Sequence, residues 1–289
     1  STNDASGHAV SLNDAGNIVA ISAPSNDGSG NNAGHVRIFE NIGGLWLQLG
    51  QDIDGEAADD YSGNGTAVSL SSDGYTVAIG ALFNSGNVIN SGHVRIYDYN
   101  GSSWNQLGQD IDGEAADDYS GYSVSLSADG TKVAIGAEAN DGNGINSGHV
   151  RIYENIGGAW LQIGQDIDGA LAGDKSGRYL SLSSDGNKVA ISSFLHSGNN
   201  NADGMVRVYE NSVGIWTQVG QDIYGESAGD QSGYSVSLSS DGQTVSIGSI
   251  YNGNNFGHVR VYENSAGIWT QIGQDIDGDA PGDYCGFSS

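Results

Sequence analysis

Polar and apolar residues alternate in short runs along this chain, and each run predicts a β-strand. Residues 119–166 show the pattern most completely. In the run 122–127, Val124 and Leu126 would face one side of a strand and the intervening serines the other. The Ala-Asp-Gly sequence that follows predicts a tight hairpin turn. Three more strands are predicted at 132–137, 149–154 and 160–167.

This unit recurs along the whole chain. The sequence Gly-Gln-Asp-Ile begins five times, at residues 50, 108, 164, 220 and 273, each time four residues after a tryptophan. The tryptophans are Trp46, Trp104, Trp160, Trp216 and Trp269. A period of about 56 residues with four antiparallel strands is typical of a propeller blade. The pattern predicts an all-β fold, a β-propeller of five four-stranded antiparallel blades, either complete or part of a longer repeat array.

The repeats also predict the domain organisation. We expect a single repeat domain over 1–289, with repeats at approximately 4–58, 59–116, 117–172, 173–228 and 229–281. Residues 282–289 begin a surplus copy of the first strand. Because a blade has two apolar faces, the recurring tryptophan and the valines and isoleucines of the second and third strands should pack between blades.

Charge excludes some partners. Asp and Glu number 35 against 9 Lys and Arg, a net charge of −26, so nucleic acid and anionic membranes should be repelled. No apolar run approaches the ~20 residues of a membrane span, so membrane insertion is not expected. Cys285 is the single cysteine, which excludes an internal disulfide framework. The chain has no phosphate-binding or zinc-spaced motif, so no organic cofactor is expected.

The runs 120–137 and 148–153 resemble the FG-GAP repeat, especially the form found in bacterial secreted and surface proteins. The first copy keeps Ala23-Pro24 of the GAP element. The resemblance implies a propeller like the head of integrin α chains, a secreted or cell-surface location and a role in binding or adhesion. Two features depart from the family. Serine replaces the Phe of FG, and a short Ser-Asp-Gly turn leaves no room for the family's calcium loop.

The connections between repeats carry another candidate calcium site. They concentrate the acidic residues, and Ca²⁺ prefers ~6–8 oxygen ligands. The candidate ligands are Asp52, Asp54, Asp60, Asp110, Asp112, Asp118, Asp166, Asp168, Asp174, Asp275, Asp277 and Asp283. The alternative is that these carboxylates are solvated or pair with the arginine that recurs in the third strand. If calcium is structural, EDTA should lower the melting temperature and added Ca²⁺ should restore it.

The long loops between strands two and three, and between repeats, should share one face, and such loops usually carry binding sites. The candidate ligand-binding residues there are Phe83, Arg178, Phe194, His196, Tyr251 and Phe256. Aromatic rings beside Asn and Asp suit a sugar, although ordinary loop variation explains them too. Asn64 and Asn100 match the glycosylation acceptor pattern.

These observations favour a non-catalytic extracellular binding or adhesion module that recognises a glycan or a surface protein. One alternative is a structural subunit of a surface filament or repeat array that assembles through its termini, with the C-terminal residues 279–289 as the candidate contact. A propeller glycosidase is less favoured, because such enzymes need two carboxylates in unequal settings and these acids recur in near-identical ones.

Overall fold

The computed structural model describes residues 4–197 and 202–288. Its strands form five sheets of five strands each. The first sheet contains β1 (Val10–Leu12), β2 (Ile18–Ala23), β3 (His35–Ile42), β4 (Leu45–Gln48) and β5 (Ile53–Asp54). The second contains β6 (Val68–Leu70), β7 (Thr76–Ala81), β8 (His93–Tyr99), β9 (Trp104–Gln106) and β10 (Ile111–Asp112).

The remaining sheets repeat this series. The third contains β11 (Ser123–Leu126), β12 (Lys132–Ala137), β13 (His149–Ile156), β14 (Ala159–Gln162) and β15 (Ile167–Asp168). The fourth contains β16 (Leu180–Leu182), β17 (Lys188–Ser193), β18 (Met205–Ser212), β19 (Ile215–Gln218) and β20 (Ile223–Tyr224). The fifth contains β21 (Ser232–Leu238), β22 (Thr244–Ser249), β23 (His258–Ser265), β24 (Ile268–Gln271) and β25 (Ile276–Asp277). A four-residue helix, α1 (Asn252–Asn255), precedes β23.

Each sheet is a four-stranded blade whose fourth strand is split in two. In the first sheet the order is β1-β2-β3-β4, and β5 also pairs with β3. β4 and β5 lie along the same strand, with Gln48 opposite Phe39 and Ile53 opposite Val36. The prediction of five antiparallel four-stranded blades is confirmed. The prediction of one continuous fourth strand over 160–167 is wrong, since the pairing is interrupted between β14 and β15.

The interruption falls on the Gly of Gly-Gln-Asp-Ile. Gly50 has φ +75°, a conformation that side-chain-bearing residues rarely adopt. A Cβ atom there would also lie 2.8 Å from Cδ1 of Trp104 in the next repeat. Glycine therefore lets the strand bend and lets the next tryptophan approach.

The chain divides into two compact units, 1–137 with 152–162, and 138–151 with 163–289. The first unit holds two apolar cores, one between the first and second sheets and one between the second and third. The second unit holds a core between the fourth and fifth sheets. In each case the apolar residues lie between successive sheets, which is the packing expected of propeller blades.

Candidate functional site

The glutamine of Gly-Gln-Asp-Ile fastens each repeat to the next. The Gln51 side chain donates to the Trp104 carbonyl at 2.7 Å and accepts from the Trp104 backbone N–H at 3.0 Å. The Trp104 indole N–H donates to the Leu49 carbonyl at 2.7 Å. The same three bonds join Gln109 to Trp160, Gln165 to Trp216 and Gln221 to Trp269. We call this arrangement the glutamine–tryptophan clasp.

The aspartate of the same motif pairs with the arginine of the third strand. Both oxygens of Asp52 accept from Arg37, at 2.8–3.0 Å, and one also accepts from Gln48 at 2.6 Å. The Arg37 guanidinium holds the pKa of Asp52 below its usual range. The same pairing lowers the pKa of Asp222 to about 2. Among the candidate calcium ligands, Asp52 and Asp275 are therefore already paired with a cation.

A histidine at the start of the third strand faces these aspartates. His258 is 1 % exposed, and its Nδ1 lies 3.5 Å from Asp275. With Glu226 of the preceding repeat, the two could hold a metal ion. His35 with Asp52 and Asp54, and His93 with Glu56 and Asp110, form comparable groups. One histidine with two carboxylates suits a transition metal better than calcium, which prefers oxygen ligands alone.

Arginine competes with any cation in these groups. Arg95 lies 3.3 Å from Glu56, and Arg260 contacts both Glu226 and Asp275. Asp54, Asp112, Asp168 and Asp277 lie beside them and are exposed. Calcium binding by the acidic connections stays a prediction. The sequence did not indicate that histidine would join these carboxylates, because the participating Glu comes from the preceding repeat.

Burial of these histidines predicts an acid-sensitive stability. Burial, aided by the Arg95 charge, lowers the pKa of His93 to about 4. The histidine pKa in the unfolded chain is near 6.5, so between pH 6.5 and pH 4 the unfolded chain binds more protons than the folded chain does. As the pH is lowered from 6.5 to 4, the protonation of this group should lower the free energy of unfolding by up to about 3 kcal/mol. Below pH 4 the effect should level off. Met205 holds the equivalent position, so His93→Met should lose less stability over the interval in urea titrations at pH 7 and 4.5. An equal loss in both proteins would contradict this assignment.

A second set of aspartates ties the connections between repeats to the loops between strands two and three. Asp60 is 3 % exposed and accepts from the Ala57 backbone at 3.0 Å and from Asn84 at 3.0 Å. Asp230 contacts Asn252 in the same way. Asp118 and Asp174 are also buried, and each accepts from the backbone three residues earlier. Asp283, in the last connection, is exposed and accepts from Ala280.

Three of the candidate ligand-binding residues make internal contacts. His196 is 4 % exposed and holds the position that Asn84 and Asn252 occupy in the second and fifth repeats. Its Nδ1 lies 2.9 Å from Asp174. Phe194 is 6 % exposed, with the Arg178 guanidinium 5.4 Å from its ring centroid. Arg178 also donates to the buried Glu138 at 2.6 Å. Ligand binding by these residues stays a prediction, and it would require them to leave these contacts.

The other candidates lie nearer to solvent. Tyr251 is 40 % exposed and contacts Tyr284 edge to face, and Phe256 is half-buried. Asn64 is half-buried, and Asn100 is exposed, with its side-chain oxygen accepting from two backbone N–H groups in its own turn. Glycosylation at these asparagines stays a prediction.

Phe83 lies in a cavity of about 360 Å³ on the face that was expected to bind. Its half-buried ring meets Tyr61 and Tyr119 edge to face, with centroids 5.5 and 5.4 Å away. Besides Phe83, the lining residues are Glu56, Ala57, Ala58, Asp59, Asp60, Asn84, Ser85, Gly86 and Asn90. We call this the Phe83 pocket. The sequence singled out Phe83 but not its tyrosine neighbours, whose signal was the Tyr-Ser-Gly shared by the second and third repeats.

Within the described ranges, none of the helices has the length and hydropathy of a membrane span. No curated protein matches the chain in sequence. Several solved structures match it in fold at low identity. A protein from Lactobacillus plantarum has a TM-score of 0.57 at 15 % identity, over 96 % of this chain and 72 % of that one.

Two other solved structures resemble the chain to a similar degree. A Bacteroides uniformis protein, provisionally named a 6-phosphogluconolactonase, has a TM-score of 0.53 at 14 % identity, over 96 % of this chain and 87 % of that one. TolB from Acinetobacter baumannii has a TM-score of 0.52 at 17 % identity, over 94 % of this chain. This chain spans about half of that TolB, 54 %. At these identities the likeness concerns the fold alone.

The sequence of the third repeat identifies the repeat type. Residues 111–153 match the FG-GAP repeat. This segment contains most of the runs on which the resemblance was based, including the hairpin of β11 and β12 and the start of β13. The predicted resemblance is therefore confirmed. The chain is a five-bladed β-propeller array whose residues 111–153 match the FG-GAP repeat.

Proposed function

We propose that this protein is a non-catalytic binding module that works outside the cytoplasm and holds a neutral glycan in the Phe83 pocket. The observation that carries the proposal is the grouping of Phe83 with Tyr61 and Tyr119 beside amide and carboxylate groups. An extracellular or periplasmic location agrees with the FG-GAP repeat. The proposal concerns one pocket and does not assign a role to the other repeats.

The chemistry of the pocket suits a sugar. A sugar ring presents C–H groups to an aromatic face and hydroxyl groups at its rim, so it needs an apolar surface next to hydrogen-bonding groups. Phe83 supplies the apolar surface, and Asp59, Ser85 and Asn90 supply hydrogen-bonding groups beside it. The volume falls within the ~300–1,000 Å³ typical of small-molecule sites.

Charge favours a neutral ligand. Glu56, Asp59 and Asp60 line the pocket, and the whole chain carries a net charge of −26. A sugar acid or a sulfated sugar would be repelled by this field. A neutral sugar could still donate its hydroxyl protons to the carboxylates, which accept hydrogen bonds only.

The proposal of a binding role without catalysis rests on the hydrogen bonds that the carboxylates lining the pocket accept from other residues of the chain. Asp60 is buried, and its Oδ2 accepts hydrogen bonds from the Ala57 backbone N–H and from Asn84, which fits a structural role in the loops. A glycosidase would need an accessible pair of carboxylates on either side of the scissile bond. Asp59 accepts from Asn31 and Asn32, which gives it a structural role in the loops.

A Phe83→Ala variant tests this proposal. Ala139 holds the equivalent position in the third repeat, so the blade already tolerates alanine there. We expect the variant to lose affinity for a neutral oligosaccharide by about tenfold or more, because the stacking surface is removed. The melting temperature should change little.

The matched control is Tyr251→Ala, which removes an exposed aromatic ring from the equivalent position of the fifth repeat. Binding would be measured by calorimetry after a screen of neutral and acidic polysaccharides. Binding of acidic polysaccharides alone, or equal affinity in the parent and Phe83→Ala, would overturn the proposal.

A further inference from the structure

His258 is buried without a partner for its imidazole ring. It is 1 % exposed, and neither ring nitrogen has a hydrogen-bond partner among the residues that the structure describes. A neutral imidazole carries one donor and one acceptor, and a buried polar group that lacks a partner is uncommon enough to need an explanation. An ion that takes the lone pair of one ring nitrogen is such an explanation.

The imidazole of His258 lies beside two carboxylates. Its Nδ1 is 3.5 Å from an oxygen of Asp275, and Glu226 completes a group whose ligand atoms all lie within 4.8 Å of one another. A separation of 3.5 Å is longer than an ordinary N–H···O hydrogen bond of about 2.7–3.2 Å. It matches two ligands of one tetrahedral ion, which lie about 3.3–3.6 Å apart when each is about 2.0–2.2 Å from the ion.

We propose that Glu226, His258 and Asp275 bind a divalent transition-metal ion of the zinc type. One imidazole nitrogen with two carboxylate oxygens matches the nitrogen and oxygen ligands that zinc takes in proteins, whereas calcium prefers oxygens alone. Three protein ligands leave one position of a tetrahedral ion for water. The buried ring nitrogen of His258 then has the partner that it lacks in the chain alone.

Arg260 shares these carboxylates but leaves them able to bind an ion. The Asp275 oxygen Oδ1 accepts from Arg260 at 3.1 Å and from Gln271 at 2.6 Å. The oxygen that faces His258, Oδ2, accepts from Arg260 at 3.2 Å and keeps a second lone pair. Arg260 also contacts Glu226. Carboxylates that bind metals are commonly held by such hydrogen bonds, and two carboxylates with one guanidinium still attract a dication.

The fourth repeat provides an internal comparison, because it lacks both the histidine and the aspartate opposite it. In the fifth repeat His258 lies opposite Asp277, where β23 pairs with β25. The same His–Asp pair recurs in the first three repeats. In the fourth repeat the pair is Met205 and Tyr224, and the Tyr224 hydroxyl donates to Asp222 at 2.8 Å. The histidine and the aspartate are therefore replaced together, which agrees with a shared role near a cation.

The ion would join two successive repeats. Glu226 lies in the connection that follows the fourth sheet, whereas His258 and Asp275 belong to the fifth. A ligand that only the folded state binds stabilises that state by mass action, so zinc should raise the melting temperature. None of the three residues lines the Phe83 pocket, so this inference is independent of the proposed glycan site.

Zinc titration of the full chain, with ¹⁵N-labelled histidines observed by NMR, tests the inference. We expect zinc to shift the ring signals of His258, which are assigned by their loss in His258→Met. That variant should fold, because Met205 holds the equivalent position, and zinc should raise its melting temperature less than that of the parent. Glu226→Gln, at an exposed residue, should weaken zinc binding at His258 by about tenfold or more. His8→Met removes an exposed histidine outside the group and is the matched control, expected to bind zinc like the parent.

Three results would overturn the inference. The first is a His258 signal that zinc leaves unchanged over the whole titration, which means that the ring does not bind the ion. The second is a Glu226→Gln variant whose His258 signal shifts at the same zinc concentrations as in the parent, which removes Glu226 from the site. The third is an equal shift with calcium, which means that the signal reports the charge of an ion and not its coordination by nitrogen.

Discussion

Trp216→Ala should lower the free energy of unfolding by about 3–5 kcal/mol, the range for removing a fully buried large aromatic side chain. Trp216 is 3 % exposed, and its indole N–H donates to Ile163 of the preceding repeat at 2.8 Å. Truncation removes this buried ring and leaves the Ile163 carbonyl without its donor. Gln165 can still bond the backbone of residue 216, so the loss should come from the side chain. Urea denaturation measures the change.

Trp46→Ala is the matched control, because it removes the same side chain from the equivalent position of a repeat that leaves it 47 % exposed. Its cost should be about 1 kcal/mol or less at protein concentrations where the chain is monomeric. Equal losses in the two variants would contradict the clasp. So would a larger loss for Trp46→Ala.

Arg178→Ala should lower the free energy of unfolding by about 3 kcal/mol, within the range for breaking a buried ion pair by removing one partner. Glu138, 6 % exposed, would keep Lys175, which lies 3.3 Å away and is partly solvated. The Arg178 guanidinium would also be lost from above the Phe194 ring. The loss should be visible in urea denaturation at neutral pH.

A double variant separates the ion pair from simple packing. In the next repeat the positions of Glu138 and Arg178 are held by Phe194 and Tyr234, whose rings meet edge to face at 5.9 Å. Glu138→Phe combined with Arg178→Tyr should therefore recover most of the stability that Arg178→Ala loses, because no buried charge is left unpaired. A double variant as unstable as Arg178→Ala would show that the charges themselves are needed.

Local pattern was sufficient to predict the strands and their stacking. Alternation located β12 at 132–137, as found, and placed β11 and β13 within two residues of their observed ends. The recurring tryptophan was correctly assigned to the core between blades, with the exception of Trp46. Trp46 is 47 % exposed, and a single repeat sequence does not show how its tryptophan is covered by neighbouring repeats.

The role of Gln51 could not be predicted from its own repeat. The motif recurs five times, which indicates a scaffold role, but the partner of Gln51 is a backbone 53 residues away. Alternation also continues through Trp-Leu-Gln-Ile-Gly-Gln-Asp-Ile, so the strand appeared continuous. Only the positive φ of Gly50 and its contact with Trp104 explain why pairing stops there.

The candidate site was predicted in place but not in detail. Aligning the repeats by position puts Phe194 with Leu82 and Ile250, which are buried, and Phe83 with Tyr251, which is exposed. Composition alone treated the two phenylalanines as equivalent. Their burial depends on which residue of the loop turns inward. Aligning the repeats position by position shows which residue that is.

The measurement that tests the repeat architecture most directly is hydrogen exchange of the five tryptophan indole N–H groups by NMR, at a protein concentration low enough to keep the chain monomeric. Four of these groups, in Trp104, Trp160, Trp216 and Trp269, donate to backbone carbonyls of the preceding repeat at 2.7–2.8 Å. We predict that these four exchange slowly and that Trp46, whose signal is assigned from Trp46→Ala, exchanges fast. Five indole groups with similar exchange rates, or a Trp46 as protected as the others, would contradict the account.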